Sequence, residues 1–210
     1  PDGKGINLNG SLIGVKGISI MAETPALKNV TSMALKGNKL GDEGVRVITQ
    51  SSTFKNLEFL SLWDNGISPE GIKMLARGAN FNKLKELNLM QNNVGNQGVV
   101  LLVDSSNLSN LTSLDLSVNK IGDKGAIAIA TSPYLSNLKK LDLFNNQISL
   151  KGLRAILQSK TLVSLKEIDF VKNNIDDESA AKLWESHMNS CRALKKSGHP
   201  NKKKLPLCGN

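Results

Sequence analysis

The chain has 210 residues, enough for one or two domains and for a substantial buried core. It holds 27 basic residues against 18 acids, a net charge of +9, but six of the bases (Arg192, Lys195, Lys196, Lys202, Lys203 and Lys204) follow the last acid, Glu185, so residues 1–191 carry only about +3. That distribution argues against a nucleic-acid-binding body, and no apolar run approaches the roughly 18 residues of a membrane helix or resembles a signal peptide. Two cysteines, Cys191 and Cys208, are too few for a disulfide-built domain and point to a reducing compartment. The opening Pro1-Asp2, without a methionine, suggests a piece of something longer.

From the N-terminus the chain repeats every 27 residues. A worn first copy keeps Ile6, Leu8, Ile13 and Gly17 in register, with Ser11 where later copies have asparagine. The pattern L-x-x-L-x-L-x-x-N-x-I then starts at Val30, Leu57, Leu84, Leu111, Leu138 and Leu165 without insertion or deletion. Its ninth position is Asn38, Asn65, Asn92, Asn119, Asn146 and Asn173. Six residues on stands glycine (Gly44, Gly71, Gly98, Gly125, Gly152), replaced by Ser179 in the last copy. Residues 1–191 therefore read as seven repeats and 192–210 as a basic tail or cap.

Each copy predicts a short strand and a helix. In the second copy Asp42, beside Gly41, reads as a helix start, with Val45, Ile48 and Thr49 as the inward stripe. In the third, Ser68-Pro69-Glu70 is an N-cap, first-turn proline and early acid, followed by Ile72, Leu75 and Ala76. In the fifth, Leu114-Asp115-Leu116 alternates as a half-buried strand does, and Asp123 reads as the next helix start. Asp176 opens the last helix, which Ala180, Leu183, Trp184, His187, Met188, Cys191 and Leu194 extend at helical spacing to about Lys196, before Ser197-Gly198. Leu205-Pro206-Leu207-Cys208-Gly209-Asn210 then fits L-x-L-x-x-N, an eighth strand that would cap the apolar end. The asparagine column is expected to form a ladder that satisfies buried backbone amides.

These motifs, as in Leu111, Leu114, Leu116, Asn119, Ile121, Gly125 and Ile129, resemble the leucine-rich repeats, and among them the ribonuclease-inhibitor-like class. The resemblance covers nearly the whole chain. It implies an α/β fold, a right-handed solenoid or horseshoe with a parallel sheet on its concave face and helices on its convex face. It also implies a binding role without naming a partner. Repeats of this kind are similar to those of eukaryotic cytosolic sensors and of effectors that intracellular bacteria inject into hosts, so the expected location is cytoplasmic, with a secreted effector acting in a host cytosol as the variant.

With the strand leucines pointing inward, the residues beside them are left for function. One column reads Asn7, Ala34, Ser61, Asn88, Asp115, Asp142, Asp169. Two residues later it reads Asn9, Lys36, Trp63, Met90, Ser117, Phe144, Val171, and two residues earlier Gly5, Ser32, Phe59, Glu86, Ser113, Lys140, Glu167. The loop column adds Asp64 and Lys172. The expected partner-binding set is Phe59, Trp63, Asp64, Glu86, Met90, Asp115, Asp142, Phe144, Glu167, Asp169 and Val171, with Ser117 as an unremarkable surface position. The aromatic members form one apolar centre of several hundred Å² in this reading, competing with the alternative that they merely cover one another across strands. The carboxylates favour a protein with a basic surface. The lysine tail reads as a solvated terminus, and His187 with Cys191 as part of a helix stripe, their spacing fitting no ordinary zinc motif. No phosphate loop, nucleophile elbow or clustered Cys/His pair is present, so no catalytic residue, metal or cofactor is expected, and the chain reads as a monomer. The alternatives are the recognition part of a larger enzyme or effector, and a regulator of small GTPases.

Overall fold

The computed structural model describes residues 4–196 and residue 207. Seven three-residue strands, β1 (Gly5–Asn7), β2 (Ser32–Ala34), β3 (Phe59–Ser61), β4 (Glu86–Asn88), β5 (Ser113–Asp115), β6 (Lys140–Asp142) and β7 (Glu167–Asp169), form one parallel sheet in chain order. Every pair is offset by the sequence period, as in Leu87 opposite Leu114 and Asn88 opposite Asp115. At roughly 4.8 Å per strand the sheet is on the order of 29 Å wide. The strands are short because the chain bends just beyond each of them. Gly10, Gly37, Asp64, Gln91, Val118, Asn145 and Lys172 all have φ between 51 and 69°. Glycine accepts that left-handed bend freely, whereas β-branched Val118 is held there against its own sterics.

The helices α1 (Gly14–Ala22), α2 (Gly41–Gln50), α3 (Pro69–Arg77), α4 (Gly95–Val103), α5 (Asp123–Thr131), α6 (Leu150–Leu157) and α7 (Asp177–Lys196) each pack against the next. Between helices and sheet lies one continuous core. Leu60, Leu87, Leu114 and Leu141 line it from the strands, Leu62, Leu89, Leu116 and Leu143 from the strand ends, and Ile48, Leu75, Leu102, Ile129 and Ile156 from the helices. A further apolar column, fully buried at Phe54 and Phe81 and continued by Leu108, Leu135 and Leu162, sits where the chain returns toward each strand. The column escaped the sequence reading because it lies outside the strand motif.

The asparagines form the expected ladder. Asn146 Oδ1 accepts from Asn119 N–H (3.0 Å) and Ile121 N–H (2.9 Å), and its Nδ2 donates to Leu116 O (3.0 Å). Other side chains also cross between copies, which corrects two of the expected helix caps. Asp42 and Asp123 do not cap α2 and α5, whose N-caps are Leu40 and Gly122. Their carboxylates reach forward one repeat: Asp42 accepts from Ser68 N–H (2.8 Å), Asp123 from Ser149 N–H (2.8 Å) and Gly152 N–H (3.1 Å). Asn96 does the same for Gly122 and Gly125. The glycine six residues after the asparagine leaves room for the apolar side chain four residues before it, which a Cβ would approach to 2.5–2.9 Å at Gly44, Gly71, Gly98, Gly125 and Gly152. At Gly71, Gly125 and Gly152 it also leaves room for the cross-repeat cap, as with Asp123 Oδ1, 2.6 Å from a Cβ at Gly152. Asp176 does cap its own helix, accepting from Ser179 N–H at 2.8 Å.

At the C-terminal end α7 buries His187 and Cys191 (6% and 3% exposed), while Trp184, expected in the same stripe, is turned outward. A helix with one packed neighbour can bury only a narrow stripe, and Trp184 falls off it. Cys191 is disulfide-bonded, which weighs against the reducing compartment inferred from the cysteine count. The expected stop at Ser197-Gly198, the tail lysines, His199, Cys208 and all of the expected 205–210 strand except Leu207 lie outside the described residues. Leu207 is a turn residue; its N–H donates to Leu165 O (2.9 Å) and its side chain packs on the core beside the last repeat.

Candidate functional site

The sheet face turned away from the helices carries an open groove of about 400 Å³. Its floor is the sheet backbone at Leu87, Leu114, Leu141 and Ile168, the three leucine side chains being buried in the core on the other face; its walls are Phe59, Glu86, Asn88, Ser113, Asp115, Lys140, Asp142, Glu167 and Asp169. Strand register brings these together, with Glu86, Ser113, Lys140 and Glu167 side by side in one row and Asn88, Asp115, Asp142 and Asp169 in the other. Six of the expected residues therefore share one groove: Phe59, Glu86, Asp115, Asp142, Glu167 and Asp169. Asn88, Ser113 and Lys140 stand among them and belong to the same columns, though the expected set omitted them. The signal for them was position in the repeat rather than residue type.

The carboxylates are partly committed to structure. One oxygen of each aspartate accepts the backbone N–H two residues on, Asp115 from Ser117, Asp142 from Phe144 and Asp169 from Val171, each at 2.9 Å. Asn7 and Asn88 make the same bond at the same position, and Ala34 fills it with no side-chain acceptor, so the turn requires no charge there. Asp115 Oδ2 accepts from Asn88 Nδ2 at 2.9 Å. Burial pushes the Asp142 carboxyl above its ordinary range, and the flanking carboxylates of Asp115 and Asp169 add to the shift. Lys140 bonds Glu167 at 2.8 Å, both side chains being exposed, and that pairing holds the lysine more firmly protonated. Five carboxylates against one lysine leave the groove strongly acidic.

Trp63, Asp64, Met90, Phe144 and Val171 lie off this groove, beyond the C-terminal ends of the strands. There the structure departs from a single apolar centre. Trp63 and Phe144 are three strands apart, on the order of 14 Å, and between them Ser117 is buried, 2% exposed, with its hydroxyl bonded to Asp115. Ser117 is thus no surface position; the short side chain sits below its taller neighbours. Phe59, Trp63, Met90 and Phe144 are each half-buried. Lys36 Nζ lies 3.4 Å from the Trp63 ring centroid and Lys172 Nζ 5.2 Å from that of Phe144, so lysines cover both rings. Trp63 Nε1 also approaches Gln91 Oε1 at 3.5 Å. The freely offered apolar area is correspondingly smaller than the residue types imply, and Val171, 59% exposed, is the open hydrophobe of the set. Asp64 is exposed on the left-handed bend.

Among the described residues no cluster of His, Cys, Asp and Glu could hold a metal ion, and no helix is long and apolar enough to cross a membrane. His187 Nε2 and Cys191 Sγ are 3.5 Å apart, beside the Trp184 ring.

A one-layer parallel sheet backed by helices, stacked by ladders that run from copy to copy, defines a repeat solenoid. The Leucine Rich repeat family profile matches six stretches, 26–48, 55–76, 82–103, 107–130, 134–157 and 161–183, and the chain belongs to that family. Its architecture is similar to that of internalin C2 from Listeria monocytogenes, at 23% identity and a TM-score of 0.55 over 86% of this chain and 76% of that one. It is likewise similar to InlP of the same organism, at 16% identity and a TM-score of 0.54 over 82% of this chain and 44% of that one. No curated protein sequence matches the chain.

Proposed function

We propose that the chain is a protein-interaction module, non-catalytic, which takes a basic segment of a partner protein into the acidic groove of the sheet's open face. The observation that carries this reading is the concentration of Glu86, Asp115, Asp142, Glu167 and Asp169 around one groove of the sheet's open face. Clustering like charges costs folding stability; the Asp142 carboxyl, raised first by burial, is raised further by the carboxylates of Asp115 and Asp169. A lysine or arginine from a partner would relieve the repulsion, so binding and the cluster favour each other. Membership of the leucine-rich repeat family supports a protein-binding role. The 27-residue period with a full α-helix in every copy supports the ribonuclease-inhibitor-like class. Val171 and the edges of Trp63, Met90 and Phe144 would supply apolar contact at the rim, after Lys36 and Lys172 move aside.

Protein captured from lysate with the full chain, and then purified, should bind with a steep dependence on salt. Asp115→Asn with Asp142→Asn should slow its association and flatten that dependence. Trp63→Ala should weaken binding by about 2 kcal/mol, mainly through faster dissociation, if Trp63 anchors the rim. A partner that binds the double aspartate variant unchanged, at every salt concentration, defeats the groove as the site.

A further inference from the structure

A second surface emerges only once the repeats are stacked. The loops that lead into the strands, residues 28–31, 55–58, 82–85, 109–112, 136–139 and 163–166, together with Lys4 ahead of β1, line up along one edge of the solenoid. They carry seven lysines, all exposed, and a single acid, Glu58. The whole of residues 1–191 has a net charge of only about +3, so this edge alone, at +6, is balanced by acids elsewhere, chiefly on the helices and in the groove. Glu58 is paired with Lys85 at 2.7 Å, and Lys85, with smaller contributions from Lys83 and Lys4, holds its carboxyl below the ordinary range. Toward the helices the same side becomes mixed, with Glu23 and Asp104 beside Arg77 and Lys160.

The edge is stiff. Asn56 Nδ2 donates to Lys28 O (2.8 Å), Asn110 Nδ2 to Asn82 O (2.6 Å) and Asn137 Nδ2 to Ser109 O (2.9 Å), tying each loop to the one before it. Lys83 reaches back to Asn56 Oδ1 at 2.7 Å. The opposite edge is different, because two of its lysines, Lys36 and Lys172, are laid over aromatic rings.

We propose that this lysine edge is a peripheral membrane-binding surface, which sets the solenoid on its side against anionic lipid headgroups. The lysines stand at three positions of the repeat, Lys28 and Lys55 at one, Lys83 at the next and Lys4, Lys85, Lys139 and Lys166 two further on, and none of these positions is filled in every copy. The 109–112 loop has no lysine at all. A linear polyanion following the edge would need a regular row of charges, whereas a plane of headgroups accepts cations at any spacing. The exposed loop positions also offer no aromatic ring on which a base would stack, unlike single-strand binding surfaces. With the edge on a membrane, the sheet's open face stands roughly upright and the acidic groove stays clear of the lipid. The membrane contact thus does not depend on the groove's being a binding site.

The test is sedimentation of the full 210-residue chain with vesicles of phosphatidylcholine alone and of phosphatidylcholine mixed equally with phosphatidylserine, at low and high salt. Binding is expected only to the anionic vesicles and should vanish at high salt. Each edge lysine should contribute about fivefold to affinity. The variant Lys55→Gln, Lys83→Gln, Lys139→Gln, Lys166→Gln should therefore bind roughly 600-fold more weakly, while the matching Lys→Arg variant retains binding and both keep the parent's unfolding curve. Tail substitutions Lys202→Gln, Lys203→Gln and Lys204→Gln should leave most of the affinity in place. Equal binding to both kinds of vesicle, undiminished binding by the four-glutamine variant, loss of binding with the tail variant alone, or preference for duplex DNA over anionic vesicles each overturns the proposal.

Discussion

Replacing Asn119 by alanine tests the ladder that makes this stack of short strands possible. Asn119 is fully buried; its Oδ1 accepts from Val94 N–H at 3.2 Å, and its Nδ2 donates to Leu89 O at 2.8 Å and Ser117 O at 2.9 Å. The two carbonyls keep other donors, Asn92 Nδ2 for Leu89 and Gln91 N–H for Ser117. Only the Val94 N–H loses its acceptor. An orphaned buried donor costs about 1–3 kcal/mol and each of the two lost bonds about 0.5–1.5, so the sum is roughly 2–6 kcal/mol. Asn173, in the last copy, makes equivalent bonds to Ile148, Leu143 and Phe170 but is only half-buried, so water can replace part of what its alanine variant loses. Equilibrium urea unfolding by far-UV circular dichroism should therefore rank Asn119→Ala well below Asn173→Ala in stability. Asn119→Asp should be worse than alanine, because it turns a carboxylate toward two carbonyls. A loss under about 1 kcal/mol for Asn119→Ala, or equal losses at both positions, would refute the ladder as the source of backbone satisfaction.

Leu116→Ala should cost roughly 2–5 kcal/mol through a cavity at a fully buried site, measured by the same unfolding curves. Ser117→Val should also be clearly destabilising, since it leaves a buried position without its bond to Asp115; a neutral result would mean that the residue is not enclosed. Asp142→Asn should stabilise the fold near neutral pH, because asparagine keeps the acceptor for Phe144 N–H and removes a charge that burial and the neighbouring carboxylates oppose. The sign follows from proton uptake: a carboxyl raised in the folded state makes stability fall as pH climbs from the unfolded carboxylate range through the folded one. The advantage of Asp142→Asn should accordingly appear above that window and disappear below it, and a variant less stable than the parent at neutral pH would contradict the assignment. Reducing the disulfide at Cys191 should lower stability by about 2–4 kcal/mol, read as a shift in urea midpoint with and without reductant; coincident curves would mean that the bond carries none of the load at this end.

The repeat period, the inward leucines and the asparagine ladder were legible in the sequence because stacking identical units forces the same residue types to recur at the same spacing, and no long-range information is needed to see them. The resemblance to the leucine-rich repeats rests on that recurrence, and the architecture is what the resemblance implies. The candidate site was legible as columns and not as a site. Asp115, Asp142 and Asp169 belong together because parallel pairing puts them in one row, but Trp63 and Phe144 share a column as well and stand three strands apart. Periodicity does not record how tall each neighbour is, so the burial of Ser117, or the lysines lying over Trp63 and Phe144, came only with the packed structure. The forward reach of Asp42 and Asp123 into the next repeat depends on the distance between successive helices, which no single copy contains. The lysine edge is invisible along the chain for the same reason: its charges come from separate loops of different copies, and tertiary stacking is what brings them to one side.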